Sequence, residues 1–447
     1  MKIVIVGAGK VGYSLAQRLT EEDHEVVVIE QDEERREIIQ SSLDIMTHSG
    51  NGASPKVLTR AGVNDAEMLI AVTDSDEVNL VACVAAKQAG VSRTIARVRN
   101  EEYAEQDQAL FEQMLGVDML INPEMVTALE ISHILRTPEA LDVENFAGGR
   151  VKLLEVKIRS NSPYCSIPLK DLTLPKEILI AGIMRVNHMI IPHGDDMLLP
   201  HDCVFFVGEY EAISQFAKKF VVERSKVERV LIIGAGRIGK YLALLLEKSG
   251  MKVKMIEKEK ARCQKAAAVL QDSMVLCADG SDMDVLKEEG VSEADAVICL
   301  TDDDKLNLLL ALLTKHLGAK RTIVRLSRSE YIPLIEQVGV DVAISPRLLT
   351  TGVILRLVRR GDIVHVSLLE GAKAEASEFV VSEHSPLVGK ELRHAQFPAR
   401  ALIGAVVRGR EIIVPNGTTR LLPGDRAITF ILPDAVNQVM SFFKGRT

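Results

Sequence analysis

Tryptophan is absent from this 447-residue chain, and aromatic residues of every kind make up only 4% of it. Its cores must therefore be aliphatic. Cysteine is scarce too: Cys83, Cys165, Cys203, Cys263, Cys277 and Cys299 never approach C-x-x-C spacing, which speaks against a zinc ribbon or a disulfide scaffold. Most of them lie inside apolar runs such as "AVICLT", so buried, reduced thiols and a cytosolic setting are expected. No apolar run nears the roughly 18 residues of a spanning helix, and the chain enters a strand at once without the layout of a signal peptide. Direct membrane insertion is not expected, and any membrane part would come from another subunit. No basic block long enough to neutralise a run of phosphates is present and the formal net charge is −8, so nucleic acid is not an expected partner. The short cluster "RLVRRGD" at 356–362 falls where a helix would end, a position that favours cations.

What the chain does contain is a duplication. Residues 4–12 read "VIVGAGKVG" and residues 231–239 read "LIIGAGRIG". Laying 1–123 over 228–346 also matches "EVVVIE" with "KVKMIE", "AVTDSDEVNL" with "CLTDDDKLNL", and "RTIARVRNEEY" with "RTIVRLSRSEY". Apolar residues at 47% and charged residues at 26% suit a soluble α/β protein of three or four domains.

In the first copy, short β-rich runs at 2–6, 25–29, 45–48, 68–73, 94–98 and 118–121 alternate with helical segments opening near Lys10, Asp32, Ser54, Asp76 and Glu101. This βαβ series predicts a Rossmann-type, doubly wound parallel sheet with helices on both faces. After the sixth strand of each copy comes a further helix, 124–142 and 347–367. In the first of these Met125, Val126, Leu129, Ile131, Ile134 and Leu135 cover more than one face, so it should pack on a second module. Two small β-rich lobes follow, at 143–226 and 368–447. They correspond through "NSPYCSIPLKDL" with "HSPLVGKELRHA" and "IIPHGDDMLLPHDCVFFV" with "IVPNGTTRLLPGDRAITF". The expected architecture is α/β: two Rossmann-type domains, 1–123 and 228–346, each followed by a further helix and a small α+β lobe.

Each glycine turn follows a strand, opens a helix, and precedes an acid at the end of the next strand, Glu30 or Glu257, 23 residues after the first glycine. Gly7 and Gly234 permit the tight turn, Gly9 and Gly236 let the backbone approach a pyrophosphate, and Gly12 and Gly239 let helix and strand pack closely. The turn residues Ala8, Val11, Ala235 and Ile238 complete the cradle at a helix N-terminus, where an anion is favoured. Lys10 and Arg237 oppose the helix dipole by roughly 0.3–1 kcal/mol unless an anion lies between, and their presence in both copies points to phosphate. Glu30 and Glu257 would accept from ribose hydroxyls and repel a 2′-phosphate, which favours NAD(H) or an adenosine nucleotide such as ATP or ADP over NADP. Thr73, Asp74 and Asn79, with Thr301, Asp302 and Asn307, fall where the fourth strand meets its helix. Thr73 and Asp74 are expected to line a ligand, and Asn79 to cap the helix. Arg97 and Arg325, within the fifth strand, need a partner; a nearby Asp and a nucleotide phosphate are equally good choices.

A dehydrogenase would also need a substrate domain with an acid or base, and the small lobes share little titratable chemistry. His193 and His201 flank an Asp-rich turn, yet its counterpart "NGTTRLLPGDR" keeps neither, so a strand turn is expected there and no metal. No Ser/His/Asp or Cys/His pairing stands out. Sensing fits better than catalysis, and an NAD-dependent oxidoreductase is the alternative.

The series "GAGKVG…E…GNGASPKVLTRAG…AVTDSDEVN…RTIARVR" resembles the N-terminal lobe of RCK (KTN) domains, which regulate potassium channels and transporters, and "HSPLVGKEL…IVPNGTTRLLPGDR" resembles their C-terminal lobe. The likeness covers nearly the whole chain. It implies nucleotide binding at both Rossmann units, by NAD(H) and ATP or ADP, with Asn51 and Asp279 joining the residues above. It further implies a homotetrameric ring, peripheral on the cytoplasmic side of the inner membrane, against a membrane-embedded potassium-transporting subunit. The helix after each sixth strand would be the family's crossover helix. Gly389 and Gly424 have no counterpart in the first small lobe, which departs from the pattern there.

Overall fold

The computed structural model of the chain describes residues 1–100, 103, 114–136, 142–158, 160, 162–186, 188–217, 227–328, 331–332, 338–358, 363–369 and 374–444. The helical segment expected from Glu101, residues 137–141 of the first crossover segment and residues 359–362 of the basic cluster lie outside the described residues.

The first Rossmann lobe runs β1 (Lys2–Val6), α1 (Lys10–Glu21), β2 (Glu25–Glu30), α2 (Glu33–Ser42), β3 (Met46–Ser49), α3 (Pro55–Arg60), β4 (Met68–Ala71), α4 (Asp76–Gln88), β5 (Arg93–Arg97) and β6 (Met119–Ile121). Its strands are parallel, in the order β3-β2-β1-β4-β5-β6. Ile3, Val4 and Ile5 are all fully buried, the continuous apolar run that a strand covered on both faces requires. Helix α5 (Pro123–Arg136) follows. The first small lobe contains β7 (Asp142–Phe146), β8 (Val151–Lys157), β9 (Ile178–Arg185), β10 (His188–Ile190), β11 (Cys203–Glu209) and α6 (Tyr210–Ala217).

The second half repeats this plan. Its Rossmann lobe is β12 (Arg229–Ile233), α7 (Arg237–Lys248), β13 (Lys252–Glu257), α8 (Lys260–Val269), β14 (Met274–Cys277), α9 (Met283–Glu288), β15 (Ala296–Cys299), α10 (Asp304–His316), β16 (Thr322–Arg325) and β17 (Val342–Ile344), in the order β14-β13-β12-β15-β16-β17. Helix α11 (Pro346–Val358) leads to β18 (Ile363–Leu369), β19 (Ala374–Val380), β20 (Ala401–Arg408), β21 (Glu411–Ile413), β22 (Arg426–Ile431) and α12 (Val436–Lys444). The small sheets are antiparallel and equivalent, β10-β9-β11-β8-β7 and β21-β20-β22-β19-β18.

The chain forms two compact units, and the crossover helices are divided between them. One unit is Met1–Val126 with Pro346–Val358, so α11 belongs with the first Rossmann lobe. It packs on α1, and the Arg93 guanidinium donates to the Leu357 carbonyl at 3.3 Å. The other unit comprises Thr127–Ser345 and Arg359–Thr447. Within it Arg321, only 3% exposed, donates to the Ile134 carbonyl of α5 at 3.1 Å. Ile131, Ile134 and Leu135 are buried, whereas Leu129, expected among the packing residues, is 51% exposed.

The second unit also holds both small lobes, whose sheets share one core. Phe205 of β11 and Phe430 of β22 meet with centroids 5.5 Å apart, and Gly182 makes room for the Phe430 ring, which would lie 2.6 Å from a Cβ there. Glu378, almost wholly buried, accepts from the Ala147 amide at 2.9 Å and pairs with Arg426. Gly389 and Gly424 adopt left-handed backbone, with φ of +74° and +83°. Ser166 and His201 hold the same conformation at the matching turns of the first lobe, with φ of +60° and +72°. The turn geometry thus survives the loss of glycine, at a backbone cost a Cβ imposes.

Burial, and then the Glu144 carboxylate, push Glu130 of α5 up to about 7. The folded protein therefore keeps a proton that the unfolded chain releases above its ordinary value of 4.5, so this group's effect on stability worsens as pH rises from there to about 7. Thermal unfolding should show Glu130→Gln raising the melting temperature at pH 8 and leaving it nearly unchanged at pH 4. Phe430→Ala should cost about 3–5 kcal/mol of stability, read by the same measurement, because it empties the core that the two small sheets share.

Candidate functional site

The glycine turns are built alike in both copies, and the structure gives each glycine a separate reason. Gly7 and Gly234 have φ of +102° and +111°, a conformation that L side chains avoid. At Gly12 a Cβ would fall 1.9 Å from the Gly7 carbonyl oxygen, and at Gly239 2.2 Å from that of Gly234. The helix can approach its own turn only without a side chain there. Gly9 and Gly236 are different: each caps its helix with φ near −65°, which any residue can adopt, and a Cβ would meet nothing closer than the Arg35 guanidinium at 3.9 Å in one copy and nothing within 4 Å in the other. The chain itself does not require glycine at the middle position. The space above it is open.

Both acids are buried beneath these turns, Glu30 at 7% and Glu257 at 8% exposed. One carboxylate oxygen accepts from a turn amide, Ala8 at 2.6 Å and Ala235 at 2.9 Å, and the other from the amide two residues on, Asp32 and Glu259, both at 2.9 Å. Each oxygen retains a second lone pair, so ribose hydroxyls could be accepted beside these bonds. The amides of Ala8 and Ala235 are committed to the acids. An anion could be accepted by the first turn of α1 and α7, where a helix start leaves N–H groups without an intrahelical acceptor and the caps, Gly9 and Gly236, offer no side chain. Lys10 and Arg237 open these helices with exposed side chains.

In the second copy a pocket of about 220 Å³ gathers Gly234, Gly236, Glu257, Asp279, Thr301 and Asp302 around one opening. Asp279 accepts from the amide and hydroxyl of Ser281 at 2.9 and 2.7 Å; these bonds, with help from Lys258, hold its carboxyl below the usual range. Asn51 makes the matching turn in the first copy, accepting from the Ala53 amide at 2.9 Å.

Asn79 does not cap α4. Ser75 does, accepting from the Val78 amide at 3.2 Å. Asn79 is fully buried and pins the strand ends: its oxygen accepts from the amide and hydroxyl of Thr73 at 2.9 and 2.7 Å, and its nitrogen donates to the carbonyls of Thr73 and Arg97. Asn307 makes the same four bonds to Thr301 and Arg325, with Asp303 as the cap. Arg97 reaches the Thr73 carbonyl and the Asp74 carboxylate, both at 3.4 Å; Arg325 reaches Thr301 at 2.8 Å and Asp302 at 3.7 Å. The neighbouring Asp is thus a partner in both copies, and burial followed by the Arg99 charge lowers the Arg97 pKa. The Nε atoms of Arg97 and Arg325 are buried without a hydrogen bond.

The TrkA-N domain family matches residues 3–123 and 230–346, and the TrkA-C domain family matches 153–221 and 376–444. The chain belongs to the TrkA family. Curated relatives include "Trk system potassium uptake protein TrkA homolog 1" of Methanosarcina mazei, 40% identical over 452 residues, covering 99% of this chain and all of that one. The "Trk system potassium uptake protein TrkA" of Halomonas elongata is 36% identical over 439 residues, 97% of this chain and 96% of that one. Among solved structures, "GsuK channel bound to NAD" superposes with a TM-score of 0.61 at 18% identity, over 100% of this chain and 79% of that one. "Crystal structure of the GsuK bound to ADP" gives 0.52 at 17%, over 80% and 69%.

In this TrkA-family chain, sequence reasoning passed over three features of the site. Arg35 and Arg262 lie five residues past each acid: Arg35 of α2 comes within 3.9 Å of where a Gly9 Cβ would stand, while Arg262 of α8 lines the second pocket and bonds Asp302 at 3.3 Å. Their shared spacing was a usable signal. Gly52 and Gly280 tuck the third loop against β1 and β12, where a Cβ would strike Val6 at 2.0 Å and Ile233 at 2.6 Å. Asp76 and Asp304 hold the chain leaving the fifth strand through paired backbone amides. His193 and His201 are not brought to a common centre: His193 is exposed beside Asp196, and His201 supports a strand turn through its backbone. Among the described residues no three His, Cys, Asp or Glu side chains are placed to hold an ion.

Circular dichroism melts should find Gly12→Ala and Gly239→Ala destabilised by about 1–3 kcal/mol or more, since an added Cβ cannot clear a carbonyl oxygen. Gly236→Ala should cost no more than about 1 kcal/mol.

Proposed function

We propose that this chain is the cytosolic, nucleotide-responsive gating subunit of a potassium uptake system, and not an enzyme. Its two Rossmann sites take NAD(H), ATP or ADP, and its partner is the membrane-embedded potassium-conducting subunit. Copies of the chain form a ring, a homotetramer, lying peripherally on the cytoplasmic side of the inner membrane. The observation that carries this reading is the paired construction: the same glycine turn, amide-bound acid and pinned strand ends occur twice in one chain, bond for bond. The names of the curated relatives, and the similar fold of GsuK in its NAD-bound and ADP-bound structures, support the same assignment. Among the described residues no helix is long and apolar enough to cross a membrane, so a separate conducting subunit accords with the chain as it stands.

In this reading the pyrophosphate lies against the first turn of α1 or α7, the ribose diol against Glu30 or Glu257, and Lys10, Arg237, Arg35 and Arg262 neutralise phosphate charge. A bound nucleotide supplies negative charge at the helix N-terminus. Helix α11 rests on α1, so a shift of α1 on binding is felt by the crossover helix. Gating then follows only if the two conformations differ in nucleotide affinity; a hundredfold difference corresponds to about 2.7 kcal/mol.

Equilibrium binding of labelled NADH and ATP should fall at least tenfold at the altered site in Gly9→Asp and in Gly236→Asp, each of which places a carboxylate in the anion cradle. Unchanged binding in both variants overturns the assignment. Steady NADH formation from a small hydroxy or amino acid would replace it with the oxidoreductase reading.

A further inference from the structure

Four of the six cysteines, Cys83, Cys203, Cys263 and Cys299, are buried as expected; burial pushes the thiols of Cys83 and Cys299 far up, and they have no reactive role. Cys277 is exposed, against that expectation. It ends β14 directly beside Glu257, its register partner in the sheet. Cys263, in the second turn of α8, donates its thiol to the carbonyl of the same Glu257 at 3.1 Å. The two thiols therefore flank one residue, the acid of the second nucleotide site. Burial, then the Cys277 thiol and the Glu257 charge, push Cys263 up to about 11. The equivalent positions of the first copy are Arg36 and Ser49, so the pair belongs to the second site alone.

We propose that Cys263 and Cys277 are a redox-closable thiol pair that adjusts the second nucleotide site. The oxidant is a peroxide. The exposed Cys277 sulfur, as thiolate, attacks one peroxide oxygen; the O–O bond breaks, hydroxide or alkoxide leaves, and a sulfenic acid remains. The Cys263 sulfur then attacks Cys277 and displaces the sulfenic oxygen, which departs as water with the Cys263 proton. One disulfide forms, two thiols are oxidised, and one peroxide is reduced. Closing the bond takes Cys263 off the Glu257 carbonyl and ties α8 to the end of β14, one residue before the Ala278 amide that donates to the same carbonyl at 3.0 Å. Asp279 and Gly280 of the pocket follow immediately. The electrostatics and the shape of that site change together.

The thiol chemistry stands apart from the nucleotide reading, whereas the effect on binding rests on it, and two measurements separate them. Full-length protein treated with an equimolar amount of hydrogen peroxide, alkylated and digested without reductant, should yield one peptide pair joined through Cys263 and Cys277. Dithiothreitol should abolish it, and both Cys263→Ser and Cys277→Ser should lack it. Oxidation that stops at Cys277 sulfinic acid, or that joins different cysteines, overturns the pair. Calorimetric titration of ADP into the Gly9→Asp protein, which isolates the second site, should show at least a fivefold affinity change between reduced and oxidised forms, absent in Cys277→Ser. A disulfide with unchanged affinity overturns the adjustment. ADP that fails to bind even the reduced protein overturns the nucleotide reading and leaves the thiol pair standing.

Discussion

In each half of the chain a buried carboxylate ties three backbone segments together. Glu30 and Glu257 stand at the ends of the second strands and accept amides from the glycine turn above and from the start of the following helix. Charge-assisted bonds of this kind contribute about 1.5–3 kcal/mol each, and a buried carboxylate without them would be costly. The tie sets where the turn lies, and the turn sets where the helix begins. Its tightness is what leaves no room for a side chain at Gly12 or Gly239. The open space over Gly9 and Gly236 follows from the same geometry.

A second constraint acts on larger pieces. Each helix that leaves a Rossmann lobe carries more apolar surface than one neighbour can cover. Within one unit α11 rests on α1, and within the other Arg321 bonds the end of α5. The small lobes solve the same problem with a shared aliphatic and phenylalanine core, in which glycines face rings and β-branched side chains. Duplication lets one chain provide both halves of each contact. The contacts are then formed at the effective concentration of a tether, rather than at that of free subunits.

The two sites have also diverged. Position for position, Gln31 faces Lys258, Asn51 faces Asp279, and Ser49 faces Cys277. The second pocket therefore carries an added cation and an added anion, with Arg262 drawn to Asp302 across its mouth. The hydrogen bonding around the acids is common to both copies, whereas the charge around the rim differs.

The doubly wound parallel plan was legible in the sequence. Alternating short β-branched runs and helical segments admit few right-handed topologies, and the boundaries agree to within two residues for the described elements of the first lobe. The glycine spacing and the acid 23 residues on were legible because they depend on local backbone chemistry. Asn79 was misread because an Asn near a helix start suggests a cap. Its real partners, Thr73 and the Arg97 carbonyl, come together only when adjacent strands end side by side. Leu129 was counted as covered on helical spacing, which reports a face but not what lies against it. Ser166 and His201 were read as departures from a glycine turn, although their backbone keeps its left-handed form.

Sequence alone determined the duplicated βαβ plan, the glycine turns and the acids beneath them, since periodicity and backbone sterics act within a few tens of residues. Only the tertiary structure decided which lobe each crossover helix joins, which residue pins the strand ends, that Arg35 and Arg262 reach the two sites, and that Cys263 and Cys277 flank Glu257. Those contacts join side chains that are distant along the chain, and burial, charge and hydrogen-bond geometry select them only once the sheets have formed.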